Sequence, residues 1–316
     1  GIIVATPPSM HAEHVIACLD RDMNVFGEKA LAITVSDCDA IEAAARRSKG
    51  VFITGLQYRY ALWYENAVRR IQQGEIGNVT HIHAYWHRNY NWRRPLPEPG
   101  LERLINWRLY REYSGGLLAE LGSHQIDTAN WIFGAIPERV VGSGGVVFYK
   151  DGRETFDNVQ TIYTYPGGRQ LFFSSIIGNH KQGYQIIVYG TAGTVELTLE
   201  DGAFYYEPIR SNSAVPEGEM RGDFRTTASL ETSGDMPYRG VGAPIMIPEE
   251  AIGDPVVRTC IAFLESVRSG IQPRGGVEVG WRSGVTVSLG IKAVRTGEVI
   301  DFADHLSSSY LYYTDS

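Results

Sequence analysis

Cysteine is scarce in this sequence, and the cysteines present suit neither disulfides nor metal sites. Cys18, Cys38 and Cys260 are widely separated among 316 residues and odd in number, which is typical neither of a disulfide framework nor of paired metal-binding knuckles. We interpret them as small buried hydrophobic residues. No run of about 18 apolar residues occurs, so the sequence predicts no membrane-spanning helix.

Positive charge is also limited. The chain has 29 lysine and arginine residues against 36 aspartate and glutamate residues, and its basic residues do not cluster. A nucleic-acid-binding surface needs a basic patch, so the sequence argues against a polyanionic partner. With 43% apolar and 21% charged residues, the composition is that of a globular protein long enough for two domains.

The sequence begins inside an apolar strand pattern. Residues 1–8, Gly-Ile-Ile-Val-Ala-Thr-Pro-Pro, resemble a buried parallel strand that ends in a loop. Because the chain starts inside a strand pattern, without methionine or a charged leader, we expect the native N-terminus to be missing. The predicted location is cytoplasmic, with export left open for that reason.

The first 58 residues alternate between strand and helix patterns. Apolar residues recur at helical spacing over residues 11–21, short apolar strands cover 24–26 and 51–54, and a helix over 40–47 is capped by Ser-Asp-Cys-Asp at 36–39. This rhythm predicts an α/β fold that starts with a partial Rossmann parallel sheet. We assign residues 1–58 to the C-terminal part of a dinucleotide-binding domain.

Residues 59–316 are predicted to form an α+β substrate-binding and oligomerisation domain. A helix over 60–73 precedes a large, open, mostly antiparallel sheet, and later helices over 254–269 and 280–295 pack back on the first domain. Some strands are apolar on both faces, as at Leu171 to Ile177, which predicts a homodimer or homotetramer formed through the open sheet. Coverage of both faces within one chain is the alternative. The predicted strands are 81–86, 140–149, 159–165, 169–177, 185–190 and 194–199.

Three loops that follow apolar strands carry polar residues. In open parallel sheets, ligands bind beyond the carboxyl ends of the strands, so adjacent loops can line one pocket. Each residue taken singly has a structural explanation, such as a solvated lysine or a helix N-terminal histidine. Together they predict a cofactor site. The residues are Thr6, Pro7, His11, Glu28, Lys29 and Gln57.

A second group follows a pair of glycines. Glu120, His124 and Asp127 fall at helical spacings of four and three after Gly115 and Gly116, which places two carboxylates and an imidazole on one helix face. A carboxylate near a histidine can fix its tautomer and raise its basicity, as a general base requires. A structural histidine is the alternative.

Aromatic and basic residues near these motifs are predicted to line the rim. Trp86 and Arg88 lie at one end of a predicted strand, and Trp107 and Arg108 follow a proline-rich loop over 92–100. Such residues suit a polar ligand with stackable faces, as a sugar is, although surface packing also explains them.

Three histidines alternate along one predicted strand. His81, His83 and His87 would share one face, but no nearby carboxylate or cysteine is placed to complete a metal site. We therefore predict no metal.

The order of the motifs resembles the glucose-fructose oxidoreductase and inositol dehydrogenase family, Gfo/Idh/MocA, over nearly the whole chain. The resemblance implies that Lys29 orients and polarises the substrate oxygen, and that His124 exchanges the substrate proton with Glu120 behind it. It implies NAD or NADP as cofactor, with Asp127 at the substrate. The motifs are Ala-Thr-Pro-Pro-x-x-His at 5–11, Glu28-Lys29, Gln57-x-Arg59, Gly-Glu-Ile-Gly at 74–77, Gly115-Gly116 with Glu120, His124 and Asp127, Trp-Ile-Phe-Gly-Ala-Ile-Pro at 131–137 and Ala-Val-Arg-Thr-Gly at 293–297.

The sequence departs from the family in three places. Ala30 stands where the family usually has proline, and Glu120 where it commonly has aspartate. The glycine-rich phosphate loop is absent, and the Gly-Ser-Gly-Gly at 142–145 opens no helix and lacks the context of that motif. The segment that separates NAD from NADP is therefore not in the sequence.

The leading prediction is an enzyme that transfers a hydride between a nicotinamide and a secondary alcohol of a sugar, polyol or sugar derivative. A second possibility is an enzyme that cleaves a glycoside by transient sugar oxidation with bound NAD. A third is a non-catalytic binding or assembly subunit with an incomplete nucleotide domain, which Ala30 and the absent glycine loop favour. The expected partners are a small sugar or polyol and further copies of the chain, with no nucleic acid and no membrane.

Overall fold

The computed structural model describes residues 1–207, 242–248 and 253–306, and its first sheet is parallel. The strand order is β1-β2-β3. One helix connects β1 to β2 and another connects β2 to β3, in the order that the sequence predicted. The parallel α/β start of the fold is therefore confirmed. The elements are β1 (Ile2–Val4), α1 (His11–Leu19), β2 (Val25–Gly27), α2 (Val35–Arg47) and β3 (Phe52–Thr54).

Helix α2 begins earlier than predicted. The Thr34 side chain accepts a hydrogen bond from the Asp37 N–H at 3.2 Å, so Thr34 is the N-cap and the segment expected to cap the helix lies inside it. The helix gains a turn whose apolar residues contact the core, among them buried Cys38.

The second sheet is large, open and mostly antiparallel, as predicted. Its strand order is β11-β10-β9-β8-β4-β7-β6-β5-β12, and β4 and β7 are a parallel pair. The strands are β4 (Val79–His87), β5 (Arg139–Gly145), β6 (Asn158–Thr164), β7 (Gln170–Ile176), β8 (Tyr184–Gly190), β9 (Gly193–Leu197), β10 (Gly202–Tyr206), β11 (Ala243–Pro244) and β12 (Ile300–Asp301).

Strand β5 ends before the predicted boundary at residue 149. The Asp157 carboxylate accepts hydrogen bonds from the backbone N–H groups of Val147, Phe148 and Tyr149, at 2.8 to 3.1 Å. These N–H groups bond to a side chain and so are not available to pair with a neighbouring strand. The chain therefore leaves the sheet after Gly145.

Five α-helices within the described ranges accompany the second sheet. The last of them, α7, packs on α2 of the first unit and on α5 and β5 of the second, so it joins the two sheets into one core. Helix α5 ends where Gly134 adopts a φ of 62°, a left-handed conformation that glycine accepts without a Cβ clash. The helices are α3 (Leu62–Gln72), α4 (Glu102–Ile105), α5 (Ser123–Phe133), α6 (Pro255–Ser269) and α7 (Val277–Thr296).

The two faces of the large sheet differ in burial. Leu171, Phe173 and Ile177 are fully buried on the face that α5 and α7 cover. On the opposite face Phe172 is partly exposed and Ile162 is 41% exposed, so described residues of this chain leave that face partly open. Among the described residues, no helix combines the length and hydrophobicity needed to cross a membrane.

Candidate active site

The loops that follow β1 and β2 lie side by side because these strands pair in parallel. Thr6, Pro7, Glu28 and Lys29 are all partly exposed there, at the edge where parallel sheets bind ligands. The structure therefore brings four of the six residues predicted for the cofactor to one edge. Gln57, also partly exposed, begins a short 3-10 helix (Gln57–Tyr60) just beyond β3.

His11 is buried between these loops. Its Nε2 lies 2.8 Å from the Thr6 carbonyl oxygen and its Nδ1 lies 2.9 Å from the Ala30 carbonyl oxygen, and the residue is 1% exposed. Burial lowers the pKa of His11, against the opposing effect of the carbonyls. The neutral ring carries one N–H and so donates to one of the two carbonyls, which links it to one loop while it packs against the other. The contact of His11 with the cofactor stays a prediction.

Lys29 connects the first sheet to the segment before α5. Its ammonium donates a hydrogen bond to the Glu120 carbonyl oxygen at 2.5 Å. Burial lowers the pKa of Lys29, and the nearby carboxylates of Glu120 and Glu28 oppose that shift. Glu28 itself packs against Gly55, where an added Cβ would lie 2.7 Å from its Oε2 atom. The peptide between Lys29 and Ala30 is cis.

The Glu120 carboxylate is held by Arg108, a predicted rim residue, and by Ser114, which the sequence did not indicate. Glu120 lies in a π-helical turn (Leu118–Gly122) that leads into α5. Its Oε2 accepts a hydrogen bond from Arg108 Nε at 3.0 Å, and its Oε1 accepts one from Ser114 Oγ at 3.0 Å. Each oxygen of Glu120 thus accepts one hydrogen bond from a neighbour, and the exchange of a proton between His124 and Glu120 stays a prediction.

His124 lies one turn into the same region and is 3% exposed. Its Nδ1 has no hydrogen-bond partner within the described part of the chain, and its ring contacts Tyr58 and Trp86. Burial, followed by the positive charge of Lys29, holds the pKa of His124 well below its usual value. The imidazole is therefore neutral near pH 7 and able to accept a proton.

Asp127, predicted to contact the substrate, forms an ion pair with Arg59. The residue is 3% exposed, and Arg59 Nε and Nη2 donate to its two oxygens at 2.8 and 3.0 Å. Both oxygens therefore bind Arg59 at a buried position, and the contact of Asp127 with the substrate stays a prediction.

The four predicted rim residues, Trp86, Arg88, Trp107 and Arg108, have different neighbours. The Arg108 guanidinium stacks 4.1 Å from the Trp107 ring centroid, and its side chain is 46% exposed beside Glu120, so both residues border the site. Trp86 contacts His124, with ring centroids 5.9 Å apart. Arg88 lies over Tyr90, 5.4 Å from its ring centroid.

Ion pairs tie the loop that carries Trp107 and Arg108 to the loop between β5 and β6. Arg93 Nε lies 3.2 Å from Asp151 Oδ2, and Arg103 Nη2 lies 3.0 Å from Glu154 Oε1. Neither pair could be identified from the sequence, because the partners are separated by more than 50 positions and lie in irregular segments.

The three alternating histidines of β4 contact neighbouring strands. His81 stacks on Tyr189 with ring centroids 4.6 Å apart, and His87 Nε2 lies 3.0 Å from Ser174 Oγ. His83 contacts Phe172 edge to face. These side chains therefore form part of the open face of the large sheet.

Known proteins with similar sequences include enzymes that are named for sugar and polyol substrates. A 2,7-anhydro-N-acetylneuraminate hydratase of Mediterraneibacter gnavus is 27% identical over 231 residues, which cover 72% of this chain and 59% of the relative. A myo-inositol 2-dehydrogenase of Thermotoga maritima is 24% identical over 224 residues, which cover 70% of this chain and 60% of the relative. The chain thus spans about three fifths of the length of these relatives.

A solved structure shares the fold. A levoglucosan dehydrogenase in complex with NADH and levoglucosan superimposes with a TM-score of 0.72 at 17% identity, covering 95% of this chain and 79% of that chain. At this identity the likeness concerns the fold.

Two family models match consecutive parts of the sequence. The oxidoreductase family model with an NAD-binding Rossmann fold matches residues 1–56, and the GFO/IDH/MocA C-terminal domain matches residues 64–196. The matches follow the order of the two sheets and include Lys29, Glu120 and His124. The chain therefore belongs to the Gfo/Idh/MocA family of oxidoreductases.

Proposed function

We propose that the protein is an NAD(P)-dependent oxidoreductase that transfers a hydride to or from a secondary alcohol of a sugar, polyol or sugar derivative. The observation that carries the proposal is the convergence of Lys29 and His124. The hydrogen bond from Lys29 to the Glu120 carbonyl joins the two halves of the site, and the charge of Lys29 acts on the His124 ring. A cationic donor beside a neutral base is what alcohol oxidation requires.

The residues at the carboxyl edge of the first sheet fit the nicotinamide end of such a cofactor. Thr6, Pro7, Glu28 and Lys29 are partly exposed at one edge, and His11 is buried between the two loops. When bound, the nicotinamide supplies a two-electron hydride acceptor or donor. The division of the chain at residues 58 and 59 into a nucleotide domain and a substrate domain is part of this proposal.

The side chains of the site have distinct roles in the oxidation direction. The Lys29 ammonium donates a hydrogen bond to the substrate oxygen and stabilises the alkoxide character that develops there. The His124 imidazole accepts the hydroxyl proton as the carbinol C–H bond breaks with its electron pair and the C=O bond forms. Burial keeps His124 neutral before the reaction. Glu120, fixed by Arg108 and Ser114, offsets the charge of Lys29.

The sugar or polyol class is supported by the rim and by the relatives. Trp107 and Arg108 offer a stacking face and N–H donors at the border of the site, which suit a hydroxyl-rich ring. The relatives are described as acting on inositol and on an anhydro sugar acid.

Purified protein, incubated with NAD or NADP and a panel of aldoses, inositols and anhydro sugars, tests the proposal through NAD(P)H absorbance. Net formation of reduced cofactor with at least one alcohol is expected. Cofactor binding without turnover on any alcohol, in either direction, would contradict it.

A second candidate is a lyase or hydratase that oxidises its substrate only transiently. The 27% identity to an anhydroneuraminate hydratase favours it. Product formation that depends on NAD, without net NADH, identifies this reaction, whereas stoichiometric NADH identifies the dehydrogenase.

We also propose that a second copy of the chain covers the open face of the large sheet. Its partly exposed Phe172 and Ile162 are apolar residues that a partner would bury. Light scattering of the protein and of Ile162→Glu tests this, with a smaller species expected for the variant. A monomeric unaltered protein would exclude it.

A further inference from the structure

The imidazole of His124 lies among aromatic rings. The Tyr58 ring meets it edge to face, with centroids 5.0 Å apart and an interplanar angle of 80°. The Trp86 ring lies 5.9 Å away at 38°. These contacts come from the 3-10 helix after β3 and from β4, so two separate elements restrain the ring.

Two further tyrosines close this arrangement. Tyr58 stacks on Tyr64 at 5.1 Å, and Tyr184 contacts both Tyr58 at 5.6 Å and Trp86 at 4.9 Å. The hydroxyls of Tyr64 and Tyr184 are 2.7 Å apart and share a hydrogen bond. We call Tyr58, Tyr64, Trp86 and Tyr184 the aromatic box. Its members come from four elements and support one another.

The carboxylates of this helix are directed away from the ring. Glu120 is held by Arg108 and Ser114, and Asp127 is held by Arg59. A histidine base is more usually oriented by a carboxylate or carbonyl on its second nitrogen, yet Nδ1 of His124 has no such partner among the described residues.

The titratable groups around His124 are one lysine and three tyrosines, and none of them carries a negative charge near pH 7. Lys29 is the charged group that acts on it, and it lowers the pKa. Burial raises the pKa of Tyr58 to about 12 and the pKa values of Tyr64 and Tyr184 well above their usual value. All three phenols are therefore uncharged near pH 7, and none stabilises an imidazolium ion as a carboxylate would.

We infer that Tyr58 and Trp86, backed by Tyr64 and Tyr184, are positioning residues that fix the His124 ring by aromatic contacts in place of a carboxylate partner. The inference rests on the proposed function, in which His124 takes the substrate proton. The box holds the ring in the orientation for proton transfer and keeps water from it. Removal of one aromatic ring of the box lets the imidazole rotate and admits water, which favours the protonated, charged form of His124.

The first measurement does not need turnover. The chain has eight histidines, so the His124 resonance is assigned by its loss in His124→Gln, and NMR titration of carbon-labelled imidazoles gives its pKa. We expect a pKa below the usual value of about 6.5 in the unaltered protein. In Tyr58→Leu we expect a rise of about half a unit or more. A normal pKa in the unaltered protein would overturn the inference even if every variant failed to fold.

The second measurement is kinetic. Tyr58→Leu and Trp86→Leu are expected to lower kcat by about tenfold or more, as loss of an orienting residue commonly does, with little change in KM. The acid limb of the pH profile should move to higher pH. Tyr58→Phe keeps the ring edge and should recover most of the lost activity. Phe204→Leu, at a fully buried phenylalanine in β10, is the control for general loss of packing.

The outcomes separate the two proposals. An inactive unaltered protein with a low His124 pKa that rises in Tyr58→Leu contradicts the proposed function and supports the box. Full activity with unchanged kcat and unchanged pKa in both leucine variants overturns the box and leaves the proposed function standing.

Discussion

Arg59 and Asp127 form a buried, two-point ion pair that joins the turn after the first sheet to helix α5. Arg59 Nε and Nη2 donate to the two carboxylate oxygens at 2.8 and 3.0 Å, and their side chains are 12% and 4% exposed. The guanidinium also lies 4.9 Å from the Trp131 ring centroid. Burial raises the pKa of Asp127, and Arg59 opposes that shift.

This pair predicts a large loss of stability when one partner is removed. Arg59→Met leaves the Asp127 carboxylate buried without a counter-charge, which costs about 3 to 5 kcal/mol. The double variant Arg59→Met, Asp127→Leu removes both charges and should recover most of that free energy. Urea denaturation measures the free energy of unfolding of each variant.

An exposed ion pair supplies the control. Arg47 and Asp20 are 53% and 44% exposed, so Arg47→Met should cost no more than about 1 kcal/mol. If Arg59→Met costs no more than Arg47→Met, the buried pair does not stabilise the junction. If Asp127→Asn raises KM without changing stability, the role of Asp127 in substrate binding that the sequence predicted is supported.

His124→Ala is expected to abolish turnover while leaving folding and nicotinamide binding nearly intact. The proposed role of the imidazole is to accept the substrate proton, and loss of a general base lowers the rate about a hundredfold or more. Steady-state kinetics and fluorescence titration with NADH measure the two properties. A loss of only a few-fold would contradict the role of His124.

The sequence predicted several residues of the site but not the hydrogen bonds that they form with one another. Local patterns indicate Lys29, which follows a strand of a parallel sheet, and His124, which lies on a helix after a glycine pair. The resemblance to the family is what implies that the two share one site. The partners of Glu120 could not be predicted, since Arg108 and Ser114 lie in an irregular loop whose path no periodicity describes. Helical spacing placed Glu120 near His124, but spacing does not say which neighbour a carboxylate will bond.

The same limit applies to the fold. Strand and helix order, and the mostly antiparallel second sheet, follow from hydrophobic periodicity and turn residues. The end of β5 depends on Asp157, which captures backbone donors eight to ten residues away. Trp86 was predicted as a rim residue, but its grouping with the three tyrosines of the aromatic box could not be predicted, because the members are separated by up to 126 positions, from Tyr58 to Tyr184.

The depressed pKa of His124 predicts how stability depends on pH. Burial lowers the folded-state pKa, so below the unfolded value of about 6.5 the unfolded state binds a proton that the folded state does not. Stability is therefore fully present above about pH 6.5 and falls with decreasing pH, by up to about 1.4 kcal/mol per unit for one proton. His11, whose pKa burial also lowers, adds to the effect.

Urea denaturation at pH 7, 6 and 5 measures this dependence. His124→Gln removes one of the two contributions and should reduce the slope between pH 6 and pH 5, and His11→Gln should do the same. Burial raises the pKa values of Asp127 and Asp39, which gives stability the opposite dependence on pH. Both aspartates are present in every variant, so their contribution cancels when the slopes of the variants are compared. A slope unchanged in His124→Gln would show that His124 is protonated in the folded protein.

Lys29→Met tests the other half of the proposed chemistry. Methionine keeps most of the volume of the side chain but cannot donate a hydrogen bond or carry charge. The ammonium should act mainly on the alkoxide that develops in the transition state, so kcat should fall more than KM rises. Loss of its charge also removes the effect that lowers the pKa of His124, so the acid limb of the pH profile should move to higher pH.

Lys181→Met, at an exposed loop lysine, is the matched control and should leave both parameters unchanged. If Lys29→Met proves silent while His124→Ala is inactive, the ammonium takes no part in the reaction. The hydrogen bond from Lys29 to the Glu120 carbonyl then only joins the two halves of the site.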